Sequence, residues 1–211
     1  MNKKGVLIVI SGFSGVGKGT VVKKLIEKYN YSLSVSATTR EPRPGEVDGK
    51  DYYFKTVAEF ENLIDYNGFI EWAQYVENYY GTPRKFVEDE IEKGNNVILE
   101  IEVQGAMRVK EQYPNAVLIF LTAPNAQSLK ERLEGRGTED AKVIAKRLKR
   151  AYEETDDMPC YDYLVVNDDL ETCVDNVNAV IVAEGFKTSN NQEYITKTKN
   201  ELAEIRKEIT L

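Results

Sequence analysis

A short apolar run, Val6 to Ile10, leads straight into Gly12-Phe13-Ser14-Gly15-Val16-Gly17-Lys18-Gly19-Thr20. No other stretch constrains this chain as much. An apolar strand, then glycines, then a lysine opening a helix is how proteins cradle the phosphates of a nucleoside triphosphate. Glycines let successive backbone N–H groups turn inward on phosphate oxygens, where a side chain would collide. Lys18 adds a point charge near the β/γ bridge, and the following helix aims its positive end at the same place. Val22, Leu25 and Ile26 repeat at helical spacing, so the loop joins a strand to a helix and is more than a glycine-rich turn. The match to G-x-x-x-x-G-K-[ST] is incomplete. Gly19 stands where Ser or Thr would hold magnesium, and the hydroxyl comes one residue later, at Thr20.

At 211 residues the chain suits one α/β domain with inserted segments, or two small ones. A formal net charge of −7 argues against sequence-independent nucleic-acid binding, which needs a basic surface. Arginines nevertheless gather locally, at Arg40/Arg43 and at Arg132, Arg136, Arg147 and Arg150. Basic clusters on an acidic protein suit a small anionic ligand; Lys146, Lys149 and Arg150 also fit a solvated helix face. The chain has no histidine, which excludes Ser-His-Asp hydrolases, histidine-ligated zinc and phosphohistidine intermediates. Cys160 and Cys173 sit in no C-x-x-C, and with no signal peptide they read as thiols of a reduced, cytoplasmic protein. The N-terminal apolar run is too short for a signal segment or a membrane span, so no membrane partner is expected.

Apolar runs bounded by turn residues recur at Val6–Ile10, Val97–Ile101, Ala116–Leu121 and Tyr163–Val166. They are short, β-rich and non-alternating, as strands covered on both faces are. Helical patterns separate them: Lys18–Lys28, Pro83–Lys93, Ala106–Gln112, Gln127–Glu134, Asp140–Tyr152 and Leu170–Glu184. Thr82-Pro83 reads as N-cap and first helical residue. This alternation predicts a parallel sheet wrapped by helices. Ser34 to Thr82 breaks the rhythm: Ser32–Ser36, Asp51–Phe54 and Phe69–Val76 read as strands of a small mixed sheet, with a Thr56/Glu59 capping box opening a helix to about Tyr66. In the tail, Ile195, Leu202, Ile205 and Ile209 mark one apolar face of a helix after Ser189. The expectation is a helix docked on its own domain; the 195/202/209 spacing leaves a homodimer helix open.

Phosphate loops serve many functions, so the acceptor must be read elsewhere. In Ser36-Ala37-Thr38-Thr39-Arg40-Glu41-Pro42-Arg43-Pro44-Gly45-Glu46, two arginines three apart can converge on one anion with forks suited to phosphate oxygens. Gly49-Lys50-Asp51-Tyr52-Tyr53-Phe54 and Asn78-Tyr79-Tyr80-Gly81-Thr82 add tyrosines that can complete a phosphate cage. Glu71, in Phe69-Ile70-Glu71-Trp72-Ala73, can read a base edge from an aromatic strand. With Glu100–Gly105, Arg132–Thr138, Arg147-Leu148 and Val166-Asn167-Asp168-Asp169, these segments together resemble the guanylate kinases, ATP:GMP phosphotransferases. The resemblance runs over about residues 5 to 185.

The resemblance implies a P-loop NTPase fold of the α/β class, with an inserted GMP-binding subdomain at 35–82 and a helical lid at 127–157. The core would be 1–34, 83–126 and 158–187, and 188–211 a charged C-terminal helix. It implies that Gly12, Phe13, Ser14, Gly15, Val16, Gly17, Lys18, Gly19 and Thr20 hold ATP phosphates, with Asn167 near the adenine. Ser36, Arg40, Arg43, Tyr52 and Tyr80 would hold the GMP phosphate, Glu71 would accept from guanine N1–H and its 2-amino group, and Thr82 would meet O6. Glu102 would also contact guanylate. Arg136, which also serves ATP, and Arg147 would swing from the lid onto the transferring phosphoryl group; Lys18, Arg43, Arg136 and Arg147 form the implied catalytic set. Thr20 and Glu100 would hold Mg²⁺, through water. The substrates implied are ATP and GMP or dGMP in purine metabolism, for a monomer or homodimer.

Two departures stand out. The family commonly has Gly-Lys-Ser-[ST], here Gly17-Lys18-Gly19-Thr20, and [DE]-I-D-x-Q-G, here Glu100-Ile101-Glu102-Val103-Gln104-Gly105. The extra methylene moves the Glu102 carboxylate by roughly 1.5 Å. A sugar-phosphate kinase relative would share the loop and lid without needing a base-reading Glu71–Thr82 pair. A non-catalytic scaffold module would have lost the working loop, whereas Lys18 is present. Tyr53, Phe54, Trp72 and Phe86 read as core, Glu46, Asp48 and Asp51 as loop solubilisers, and one of Arg147/Arg150 as a surface ion-pair partner.

Overall fold

A computed structural model describes residues 4–75, 77–135 and 141–209. The first strand, β1 (Leu7–Gly12), is buried along its whole length and is followed by α1 (Lys18–Tyr29). β2 (Ser32–Leu33), β3 (Ala37–Thr38), β4 (Tyr53–Phe54), α2 (Val57–Asp65), β5 (Phe69–Tyr75) and β6 (Asn78–Pro83) come next. Then α3 (Arg84–Glu92), β7 (Val97–Glu100), α4 (Val103–Gln112), β8 (Val117–Thr122), α5 (Ala126–Glu134) and α6 (Ala141–Glu154) lead to β9 (Tyr163–Val166), α7 (Leu170–Glu184) and α8 (Gln192–Ile209).

Among the described residues the larger sheet has five strands in the order β2-β7-β1-β8-β9, all parallel. β1 is its centre because both of its faces are apolar. Successive strand side chains point to opposite faces. Ile8 and Ile10 pack with Leu25 and Val177 on one side, while Leu7 and Val9 pack with Val87 and Val109 on the other. Each such aliphatic side chain, fully buried, contributes about 1.5–3 kcal/mol. Helices therefore cover both faces, and the loops at the carboxyl ends of the adjacent strands β7, β1 and β8 come together at the end of the sheet where open parallel sheets bind ligands.

The smaller sheet, β4-β3-β6-β5, is mixed: β3 and β4 are parallel, whereas β3/β6 and β5/β6 are antiparallel. α2 closes it. Thr56 caps α2 with both halves of the expected box, and Phe60 stacks on Phe69 and Tyr79 with centroids 4.3 and 5.3 Å away.

Several local expectations change. Ser32–Leu33 belongs to the large sheet, pairing with Val97 and Ile98, because Leu33 packs against that core. The helix expected at Ala106 begins at Val103, which places Gly105 in its first turn. Pro83, not Thr82, is the N-cap of α3, because Thr82 lies in β6 and spends its hydroxyl elsewhere. Tyr53, Trp72 and Phe86 are solvent-exposed rather than core, and Phe54 is half-buried. No described residue of α8 is buried; Leu202 is 60% exposed, so the tail is not the docked helix that its apolar face suggested.

Candidate functional site: a phosphate loop and a buried glutamate

Gly17 is the N-cap of α1 at φ 95°, a left-handed conformation that glycine adopts without steric cost. The loop folds back on itself through Val16 N–H donating to the Phe13 carbonyl at 3.1 Å. Lys18 Nζ donates to the carbonyls of Gly12 (2.7 Å) and Phe13 (3.4 Å), so the ammonium lies across the loop mouth. Asn167, after β9, donates to the Val16 carbonyl at 2.8 Å. In this structure, then, the buried Asn167 amide braces the loop. Arg132 of α5 reaches the same Val16 carbonyl (3.4 Å), and Arg147 of α6 reaches the Ser14 hydroxyl (3.4 Å). Arg147 thus points at the loop. Arg136 lies outside the described residues.

Oxygen donors border the loop on the β7 side. A Cβ added at Gly19 would lie 3.5 Å from the Glu100 carboxylate, so position 19 and Glu100 face one another. Thr20 is exposed on the next position of α1. Desolvation raises the Glu100 pKa; Lys18 opposes the rise and Glu102 adds to it. A hydroxyl and a carboxylate are the donor types a hard cation takes when it keeps most of its waters. In donor type, the Thr20 hydroxyl and the Glu100 carboxylate suit magnesium.

Glu71 and Thr82 sit opposite each other on β5 and β6. Thr82 Oγ1 donates to Glu71 Oε1 at 2.7 Å, and Glu71 is only 7% exposed. Desolvation raises its pKa, against the pull of the Thr82 hydrogen bond and of Arg108. The packing behind it depends on Gly105. A Cβ there would lie 3.0 Å from Glu71 Oε2 and 3.3 Å from its Cδ, so any larger residue displaces the carboxylate by a few tenths of an ångström. Gly105→Ala is therefore expected to raise KM for a purine monophosphate acceptor about 10-fold, within the cost of overpacking a tight site, while KM for ATP stays put. Steady-state kinetics with each substrate varied in turn checks this; equal changes in both constants would assign Gly105 to the fold alone.

The Arg40 guanidinium lies over the neighbouring rings of Tyr52 (5.4 Å) and Phe54 (5.8 Å), whose centroids are 6.0 Å apart. Its Nη2 donates to both Glu46 oxygens at 2.8 and 2.9 Å, and Glu46 also accepts from the Arg43 backbone N–H at 2.7 Å. The guanidinium of Arg40, then the Arg43 amide, hold the Glu46 carboxyl below the ordinary carboxylate range. Tyr52 and Tyr80 meet edge to face at 6.2 Å, and burial raises the Tyr52 hydroxyl pKa. Ser36 adjoins this group; its carbonyl accepts from Tyr53 N–H.

The loop acids do more than solubilise. Glu46 orients the arginine loop, Asp51 accepts from Val47 N–H (2.8 Å) and Asp48 from Phe54 N–H (2.8 Å). Sequence reading missed Arg108, which donates to the Trp72 carbonyl, and the chain Glu102–Arg150–Glu154. Arg150 makes ion pairs with Glu102 and Glu154, as one of Arg147/Arg150 was expected to do. Its i,i+4 spacing to Glu154 was the legible signal.

A family model for guanylate kinase matches residues 4–184. The guanylate kinase of Caldanaerobacter subterraneus subsp. tengcongensis is 48% identical over 202 residues, covering 95% of this chain and 98% of that protein. That of Lactococcus lactis subsp. lactis is 53% identical over 188 residues, 89% of this chain and 92% of its own. Among solved structures, the guanylate kinase of Anaplasma phagocytophilum superimposes with a TM-score of 0.72 at 38% identity, covering 88% of this chain and 89% of that one. With a braced phosphate loop, an arginine–tyrosine cluster and a buried carboxylate all in place, the chain belongs to the guanylate kinase family of nucleoside monophosphate kinases.

Proposed function

We propose that the protein transfers the γ-phosphoryl group of Mg²⁺-bound ATP to GMP, and to dGMP, giving ADP and GDP or dGDP in purine nucleotide metabolism. The observation that carries this reading is the buried Glu71 carboxylate paired with Thr82. A buried acceptor needs hydrogen-bond donors, and guanine presents two adjacent ones, N1–H and the 2-amino group. Thr82 has one proton. It is now given to Glu71, and guanine entry frees it for O6.

The acceptor phosphate needs no base, since its second pKa is about 6 and its oxygen is already anionic at neutral pH. A histidine-free chain suits such chemistry. Arg40, Arg43, Tyr52, Tyr80 and Ser36 bind and orient this phosphate. The amides of Gly12 to Gly19 and Lys18 hold the donor phosphates, and Arg147, with Arg136, neutralises charge that develops during transfer. Magnesium, when bound by Thr20 and Glu100 through its waters, supplies charge neutralisation on the donor phosphates. Segments 35–82 and 127–157 act as the closing parts that exclude water and prevent hydrolysis of ATP. Glu102, implied as a guanylate contact, accepts from Arg150 of α6.

The reading places the protein in the cytoplasm, as a monomer or homodimer. It is supported by two unpaired thiols, Cys160 and Cys173, the latter buried with its pKa pushed up to about 11. No helix among the described residues is long and apolar enough to cross a membrane.

A coupled assay with ATP, Mg²⁺ and a panel of nucleoside monophosphates and ribose 1,5-bisphosphate tests the reading. GMP and dGMP turnover is expected. Turnover confined to the base-free sugar phosphate overturns it. In the same assay Arg40→Ala and Arg43→Ala should each raise KM for GMP by about 10- to 100-fold, the cost of one charge-assisted hydrogen bond, with KM for ATP nearly unchanged. A shift in the ATP constant alone would exchange the donor and acceptor sites.

A further inference from the structure

Glu102, Arg150 and Glu154 form a carboxylate–guanidinium–carboxylate chain between two elements. Arg150 Nη2 donates to Glu102 Oε2 at 3.0 Å, and Arg150 Nε donates to Glu154 Oε1 at 2.9 Å. Glu102 is the N-cap of α4, two residues after the end of β7, whereas Arg150 and Glu154 lie one turn apart on α6. The chain therefore ties α6 to the core.

The two halves differ in character. Glu154 is 7% exposed, and its Oε2 has no hydrogen-bond partner among the described residues. A buried carboxylate is costly unless a cation accompanies it, so Arg150 is held to Glu154. The Glu102 side chain is 60% exposed, so that half of the bridge forms and breaks at little cost. Arg147 stands three residues before Arg150 on the same side of α6, with its guanidinium against Ser14 of the phosphate loop. Whatever fixes Arg150 fixes the approach of Arg147.

We propose that Arg150 is a positioning residue that grips Glu102 and so sets the angle of α6 at which Arg147 faces the transferring phosphoryl group. Glu102 is then the core-side anchor of the lid in this chain, and its extra methylene is what extends it toward Arg150. This rests on the guanylate kinase reading, which GMP turnover by the wild-type protein tests separately.

The experiment is a double-mutant cycle of Arg150→Met and Glu102→Gln, with kcat and both KM values measured and thermal unfolding followed for each variant. Each single variant should lose about 2- to 5-fold in kcat, the most that an exposed ion pair of up to about 1 kcal/mol can supply, with KM for GMP within twofold of wild type. The double variant should be no slower than the slower single, because one interaction has been removed twice. If Arg150→Met unfolds, Arg150→Met/Glu154→Gln removes the stranded charge and should show the same kcat loss. Glu102→Gln raising KM for GMP by the same factor with Arg150 present or absent would make Glu102 a guanylate ligand and overturn the proposal. So would an Arg150→Met variant, or the folded Arg150→Met/Glu154→Gln variant, with wild-type kcat.

Discussion

Lys18→Met is expected to lower kcat by about 10²- to 10³-fold, equivalent to about 2.7–4 kcal/mol of transition-state stabilisation from one preorganised charge, in a protein that stays folded. The ammonium sits across the loop mouth, tied to the Gly12 and Phe13 carbonyls at 2.7 and 3.4 Å. These are backbone acceptors that water can satisfy in its absence. The remaining supports do not involve Lys18: Gly17 keeps its left-handed turn, Asn167 braces Val16 at 2.8 Å, and Val16 N–H reaches Phe13. ATP should therefore bind with a smaller loss than turnover suffers. Measuring kcat beside the ATP dissociation constant separates the two effects. A variant that keeps most of wild-type turnover would reduce the loop to a structural turn.

The second large effect is selectivity for the base. GMP should exceed AMP in kcat/KM by about 10⁴- to 10⁵-fold, as sites built on polar pairing reject analogues that lack the partner. Glu71 is buried and accepts one hydrogen bond from Thr82, with its second oxygen turned toward Gly105. Guanine brings two donors to it. Adenine brings the bare N1 lone pair and no 2-amino group, which leaves the carboxylate unpaired against another acceptor. Glu71→Ala should abolish most GMP turnover and gain none with AMP, since removing a repulsion does not build a fit. Measured kcat/KM for GMP, dGMP and AMP in wild type and variant checks this. AMP turnover comparable to that with GMP in the wild-type protein would remove Glu71 as the discriminator.

The elements with a clean period were legible in the chain. β1, β7 and β8 follow from apolar runs without alternation, because a parallel strand covered on both faces has no polar side to show; β9 gives the same signal at the sheet's edge, although Leu164 and Val166 are exposed there. α7 was bounded at Leu170–Glu184, where Asp169 caps the first turn through Thr172 N–H. The small sheet was harder. β6 ends in Thr82-Pro83, which read as the start of a helix; only pairing with β3 and β5 makes it a strand. Ser32–Leu33 could join either sheet on its own pattern, and the apolar surface beside Val97 and Ile98 decides it.

The candidate site divides the same way. Gly12 to Thr20 declares itself because a phosphate loop is one continuous stretch whose glycines and lysine act through local backbone geometry. Arg40 and Arg43 are likewise close in sequence. Interactions between distant segments are not encoded in any one window. Thr82 serving Glu71 rather than capping α3, Gly105 backing that carboxylate, Asn167 bracing Val16 and Arg150 bridging Glu102 to Glu154 all require chain segments to meet. The sequence by itself determined which chemistry is present and where the phosphate loop begins. The tertiary structure decided which donors and acceptors find each other, because burial forces each polar group to take whatever partner the fold brings within reach.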